Sequence, residues 1–297
     1  MAKRWHRPGT TLVKDINPGW GSWPSLLTAV NGILYFPAFQ GNPGFSDQKL
    51  WRSDGTAAGT TLVKDFNPGA GRSEPNSLTA VDGILYLTAF DNVHGRELWR
   101  SDGTAAGTTL VKDINPSGNR GSDPAWLTPV NGSLFFSATG NGGQDYELWR
   151  SDGTSAGTEM VRDIRPGSGP SRPQYLTNVN GTLFFVAYDG THGWELWRSD
   201  GTDAGTKLVR DIVPGGPGST PQGLTRFGRT LFFTADDGIH GRELWRSDGT
   251  YAGTKMVGDI HPGIGSSDPG WLTNVAGKLF FSADDGPHST ELWKVVP

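Results

Sequence analysis

Apolar residues in this chain come in short runs, and the runs recur in a fixed order. Between Leu176 and Ile212 there are four: Leu176-Thr177-Asn178-Val179, Leu183-Phe184-Phe185-Val186-Ala187, Glu195-Leu196-Trp197-Arg198-Ser199 and Thr206-Lys207-Leu208-Val209-Arg210-Asp211-Ile212. Asn180-Gly181 separates the first two. Asn-Gly between apolar runs is the strongest short hairpin signal, because a type I′ turn needs positive φ at both central residues. Asp189-Gly190-Thr191-His192-Gly193 and Asp200-Gly201-Thr202-Asp203-Ala204-Gly205 punctuate the rest, so the pattern predicts four antiparallel strands. Three of these strands carry adjacent apolar residues: Phe184-Phe185, Leu196-Trp197 and Leu208-Val209. Successive strand side chains point to opposite faces, so such a sheet buries both. With no helical pattern to cover it, copies of itself must do so.

Those copies exist. Trp51, Trp99, Trp149, Trp197, Trp245 and Trp293 are spaced by 48, 50, 48, 48 and 48 residues, a period that marks a repeat architecture. Radial stacking of four-stranded antiparallel sheets is a β-propeller. The expected fold is all-β, a single six-bladed β-propeller domain over 1–297. Its blades fall at about 24–66, 75–114, 124–164, 173–212, 221–260 and 269–296, the last completed by 9–16. Gly9 to Ile16 read as a fourth strand without its first three, and Glu291-Leu292-Trp293-Lys294 as a third strand without its fourth. Pairing the two closes the ring and removes its exposed edges.

The phrases Glu97-Leu98-Trp99-Arg100-Ser101-Asp102-Gly103-Thr104 and Gly9-Thr10-Thr11-Leu12-Val13-Lys14-Asp15-Ile16 resemble the ELWxxDGT repeat of bacterial surface and secreted proteins. The match runs over essentially the whole chain and is worn only at its ends, where Lys49 replaces Glu and Val295-Val296 replace Ser-Asp. The resemblance implies a propeller-like repeat and an extracellular setting. It implies no catalytic residues.

Composition narrows the functions. Apolar residues make up 35% of the 297, with 44 Gly and 20 Pro, which suits short strands and tight turns. Net charge is −4 with Lys and Arg spread through the repeats, so no basic footprint for nucleic acid is present. No apolar run reaches the length of a membrane span, and Met1 to Pro8 lacks the apolar core of a signal peptide. There is no cysteine, hence no disulfide framework or thiolate chemistry. A monomer without metal or cofactor is expected.

Residues that recur in every repeat serve what every repeat needs. The six tryptophans are expected in the core, and the Asp-Gly-Thr turns are expected to be capped by their own carboxylates. Asp15, Asp65, Asp113, Asp163, Asp211 and Asp259 close each fourth strand, where hydrogen bonds to a turn or a neighbouring sheet are expected. Thr28, Thr79, Thr128, Thr177, Thr225 and Thr273 line the innermost strands and suggest a polar channel. His94, His192, His240 and His288 occupy one equivalent turn, which argues for a turn hydrogen bond over a catalytic base. No Ser-His-Asp order, nucleophile elbow or phosphate loop is found.

Variation collects in the loops joining strands two to three and four to one. The position before the first-strand Leu holds Leu26, Ser77, Trp126, Tyr175, Gly223 and Trp271; that before the third-strand Glu holds Arg96, Tyr146, Trp194, Arg242 and Thr290. Trp, Tyr and Arg on rigidly held loops are typical binding contacts. Trp126, Tyr175, Trp194, Trp271, Arg96, Arg242 and Tyr146 are therefore the candidate site. The function expected is non-catalytic, lectin-like recognition of a glycan or protein. The alternatives are a ligand-free structural or engineered propeller and, third, an extracellular hydrolase or lyase.

Overall fold

A computed structural model describes residues 9–41, 48–69, 71–117, 120–140, 144–167 and 169–296. Their contacts divide the chain into residues 1–124 and 125–297. The first unit holds two sheets: β1–β4 (Thr28–Val30, Ile33–Phe39, Gln48–Ser53, Thr61–Lys64) and β5–β8 (Asn76–Val81, Ile84–Asp91, Gly95–Ser101, Thr109–Lys112). The second opens with β9–β12 (Ala125–Val130, Ser133–Thr139, Tyr146–Ser151, Glu159–Arg162) and β13–β16 (Gln174–Val179, Thr182–Tyr188, Trp194–Ser199, Lys207–Arg210). It continues with β17–β20 (Gln222–Phe227, Thr230–Asp236, Arg242–Ser247, Lys255–Gly258) and a three-stranded sheet, β21–β23 (Gly270–Val275, Lys278–Asp284, Thr290–Lys294). Every sheet is an antiparallel meander, and the described residues contain no helix.

Both faces of the sheets are buried, as the adjacent apolar pairs require. In the second unit Val179, Phe184, Leu196 and Val209 of one sheet pack on Leu231, Phe233, Ala235 and Trp245 of the next. In the first unit Tyr35, Leu50 and Val63 meet Leu85, Leu87 and Trp99 in the same way. Trp51, Trp99, Trp197 and Trp245 are buried, and Trp149 and Trp293 partly so. The hairpin β13–β14 turns at Asn180-Gly181 with φ of 51° and 85°, the conformation its Asn-Gly predicts.

The Asp-Gly-Thr turns are self-capped. Asp102 Oδ1 accepts from Thr104 N at 2.8 Å and Thr104 Oγ1 at 2.7 Å, while Gly107 N donates to Thr104 Oγ1 at 2.9 Å. The hydrogen bonds from Thr104 hold the Asp102 carboxyl below the usual range. Gly103 has φ +90° and rests on the neighbouring sheet, where a Cβ would lie 2.2 Å from the Tyr35 hydroxyl. Glycine there meets a conformational and a packing demand together.

The edge of the last sheet differs from the sequence expectation. Gly9 to Ile16 form no strand, and β23 pairs only with β22. Leu12 is 70% exposed, and Leu292 on β23 is 75% exposed where Leu196 and Leu244 are fully covered. β22 holds β23 extended on one side, while Gly9 to Ile16 belong to no ladder. Lys14 nevertheless behaves like its repeats. Its Nζ donates to Thr60 O at 2.7 Å, as Lys64 Nζ does to Thr108 O at 2.9 Å.

Candidate functional site

Every first strand begins, and every third strand begins, at the end of its sheet where the variable loops lie. Each first strand carries a kink there. Leu26, Ser77, Trp126, Tyr175, Gly223 and Trp271 have φ of 49°, 52°, 61°, 55°, 63° and 58°. Only one of the six is glycine, so the rest hold a left-handed conformation that L-residues resist. The recurring threonine holds the kink. Thr128 Oγ1 donates to Trp126 O and Thr177 Oγ1 to Tyr175 O, both at 2.8 Å, and the other four threonines repeat this bond. Thr128 also donates to Leu176 O of the adjacent sheet at 3.1 Å. These hydroxyls are thus bonded to the backbone.

The kink turns its side chain outward. Trp271 is 89% exposed and Trp126 44%. The rings of Trp126 and Tyr175 approach to 5.0 Å, a tilted pair, and Gly223 leaves the next equivalent position bare. Trp126 and Tyr175 are thus two candidate residues whose rings meet each other. Trp194 is half-buried and packs on Tyr188 as a tilted pair at 5.9 Å, and Tyr188 in turn lies under Arg165 at 4.9 Å.

The two arginines brace loops. Arg96 donates to Glu74 O at 2.9 Å and Glu74 Oε2 at 2.5 Å, and lies 3.9 Å from Asp123. Arg242 donates to Thr220 O at 3.0 Å and Thr220 Oγ1 at 2.5 Å. Their backbones and those of Tyr146 and Trp194 do one further job. The carbonyls of Arg96, Tyr146, Trp194 and Arg242 accept from the N–H of Asp123, Arg172, Thr220 and Asp268, at 3.1, 2.9, 3.0 and 3.2 Å. Each of those four loop residues is itself left-handed, with φ of 42–46°. Tyr146 is half-buried and serves through its backbone in the same way.

A buried glutamate follows each of these positions, and sequence reasoning passed it over. Glu147 Oε1 accepts from Ser171 N at 2.9 Å, while Oε2 accepts from Ile164 N at 2.9 Å and Ser171 Oγ at 2.6 Å. Glu97, Glu195 and Glu243 bind Ser122, Ser219 and Ser267 alike. One carboxyl thereby fixes the whole loop leading to the next first strand. The signal was present: Ser122, Ser171, Ser219 and Ser267 recur two residues before Pro124, Pro173, Pro221 and Pro269.

The four histidines stabilise turns. His94, His192, His240 and His288 Nδ1 lie 2.9, 2.6, 2.8 and 2.8 Å from Asp91, Asp189, Asp237 and Asp285, and these hydrogen bonds raise each imidazole pKa. Among the described residues no hydroxyl hydrogen-bonds to the free Nε2 of any of them, and no group of three His, Asp or Glu is placed to hold a metal.

No protein-family model and no curated protein matches the chain, so the ELWxxDGT resemblance is carried by its repeated phrases alone. Solved structures do match. A prolyl endopeptidase superimposes with a TM-score of 0.55 at 12% identity, covering 92% of this chain and 41% of its own. A puromycin-hydrolysing peptidase of Mycobacterium tuberculosis gives 0.53 at 12%, covering 92% and 44%. A puromycin hydrolase gives 0.50 at 15%, covering 92% and 47%. The chain therefore spans under half the length of these structures, and the shared part is their β-propeller. This corrects the functional expectation. The fold relatives are peptidases, so neither a lectin-like recognition ring nor a ligand-free scaffold is retained.

Proposed function

We propose that this chain is a six-bladed β-propeller of peptidase type, the substrate-side domain of a peptidase whose bond-breaking groups lie in a separate portion. The observation that carries this is the fit of nearly all of the chain to under half of several peptidases. The site geometry agrees with a division of labour. The histidines are tied into turns and the buried glutamates into loops, while the kinked first strands hold Trp126, Tyr175 and Trp271 outward at the end bearing the variable loops. Strained backbone of this sort persists where a surface is used. Exposed aromatic rings at several spacings suit apolar and prolyl side chains of a peptide.

In the same reading the free edge of β23 takes Gly9 to Ile16 as its fourth strand, which completes the sixth blade. Two measurements test the function. Prolyl and aminoacyl p-nitroanilides incubated with the chain alone should not be hydrolysed, and turnover at enzyme-like rates would place the chemistry here. Proline-containing peptides should quench tryptophan fluorescence, with the response reduced in Trp126→Ala and Trp271→Ala. Unchanged fluorescence up to millimolar peptide would remove the substrate-side role.

A further inference from the structure

In five hairpins the ladder between third and fourth strands ends on Leu50↔Lys64, Leu98↔Lys112, Leu148↔Arg162, Leu196↔Arg210 and Leu244↔Gly258. One step further along, on a shared face, stand Lys49 and Asp65, Glu97 and Asp113, Glu147 and Asp163, Glu195 and Asp211, and Glu243 and Asp259. Like charges directly opposite each other destabilise a sheet, and burial makes it worse. Four of the five pairs are nevertheless two carboxyls.

The first pair shows what the position needs. Lys49 Nζ meets Asp65 Oδ2 at 2.5 Å, and Asp65 Oδ1 accepts from Asn67 N at 3.1 Å and Ser73 Oγ at 3.2 Å. There the aspartate holds the loop and a cation holds the aspartate. In the next three pairs the glutamate has taken over the loop. Asp113, Asp163 and Asp211 are left with an Oδ1 that is buried and without a hydrogen-bond partner. The fifth pair differs because Asp259 is exposed and its Oδ2 accepts from Gly263 N at 3.3 Å.

We propose that the pairs Glu97–Asp113, Glu147–Asp163 and Glu195–Asp211 each bind one proton between their carboxyls, standing in for the Lys49 ammonium, and so order the loop-bearing end in mild acid. As the neutral acid, the glutamate donates its O–H to the bare aspartate Oδ1. Its other lone pairs still accept from serine and backbone N–H groups. Removing the proton sets two negative charges side by side, one on a buried glutamate and one on a half-buried aspartate. This arrangement rests on the sheet register and stands whether or not the surface binds peptide.

Charged groups gather around the pairs. Asp113 and His94 face Glu97, and Asp91 faces His94; Asp145 faces Glu147 and itself faces Asp163 and Arg165; His192 faces Glu195, and Asp189 and Asp211 face His192. Burial raises Glu97 and Glu147 to about 7 and moves Glu195 in the same direction. The folded protein thus holds these protons more tightly than the unfolded chain does. The stabilisation is full below the ordinary glutamate range and is lost as pH rises through about 7.

Infrared spectroscopy of the whole chain tests this directly. A protonated carboxyl band should be present at about pH 6, where ordinary carboxyls are ionised, and should vanish by about pH 9. Glu195→Gln should remove about a third of it. Melting in EDTA should show the wild type losing stability from about pH 5 to about pH 9. Glu195→Gln, a permanent neutral mimic, should lose less and melt above the wild type at the alkaline end. Absence of the band at about pH 6, or a band untouched by the substitution, would overturn the proposal, and the infrared result on the wild type stands even if the variant folds poorly. Equal pH slopes would overturn it as well. So would recovery of alkaline stability on adding calcium or sodium, which would assign the pairs to a metal cation.

Discussion

Two tryptophans three residues apart separate packing from presentation. Trp197 is 5% exposed among Val161, Ile164 and Phe185, whereas Trp194 is half-buried at the start of β15. Trp197→Ala should cost about 3–5 kcal/mol in chemical unfolding, as buried large-to-small changes do. Trp194→Ala should cost under about 1 kcal/mol. Equal losses would mean that Trp194 is core too. Thr177→Val provides a second residue-scale check. It removes the hydroxyl bonded to Tyr175 O and leaves a left-handed tyrosine unsupported, for a loss of about 1 kcal/mol in the same assay. The tryptophans were legible because they recur with a fixed period. The threonine's role was not, because periodicity reveals that a residue is needed and is silent on which carbonyl it bonds.

At the scale of the element, the strands follow from alternation and turn chemistry, and the loops follow from backbone contacts that no pattern announces. The predicted fourth strand Thr206 to Ile212 is shorter in the structure, Lys207–Arg210, because a bulge lies opposite Leu196 and Trp197 and the chain then turns Ile212 into the core. The loop before β9 shows what cannot be read from residue type. Gly121, at φ +73°, forms an isolated parallel bridge with Arg96, and a Cβ there would lie 2.2 Å from Arg96 N. Gly121→Ala should therefore cost more than about 2 kcal/mol, since both conformation and contact oppose it. Gly216→Ala, with nothing within 4 Å of the added carbon, should be nearly neutral. A thermal melt of the pair decides the matter, and equal melting temperatures would show that the loop yields freely.

For the whole molecule, the repeat was legible and its completion was not, because the apolar pattern of a strand is the same whether or not a partner lies beside it. The valine of the fourth strand is covered in the first four sheets, at 3–7% exposure for Val63, Val111, Val161 and Val209, yet Val13 is 41% exposed. If Gly9 to Ile16 complete the last sheet in solution, Val13 and Leu292 become buried together. Val13→Asp should then lower the melting temperature by roughly 5 °C or more, because a carboxylate would enter an apolar layer. Leu292→Asp should do the same, and the double variant should lose little beyond either one, since the first change already opens the sheet. Deleting residues 1–16 should leave the β23 edge bare and promote association, seen by sedimentation as species larger than those of the wild type. Additive losses, or a Val13→Asp protein that melts and sediments like the wild type, would mean that the sixth sheet stays three-stranded. In that case Leu292 on β23 would stay exposed in the isolated chain.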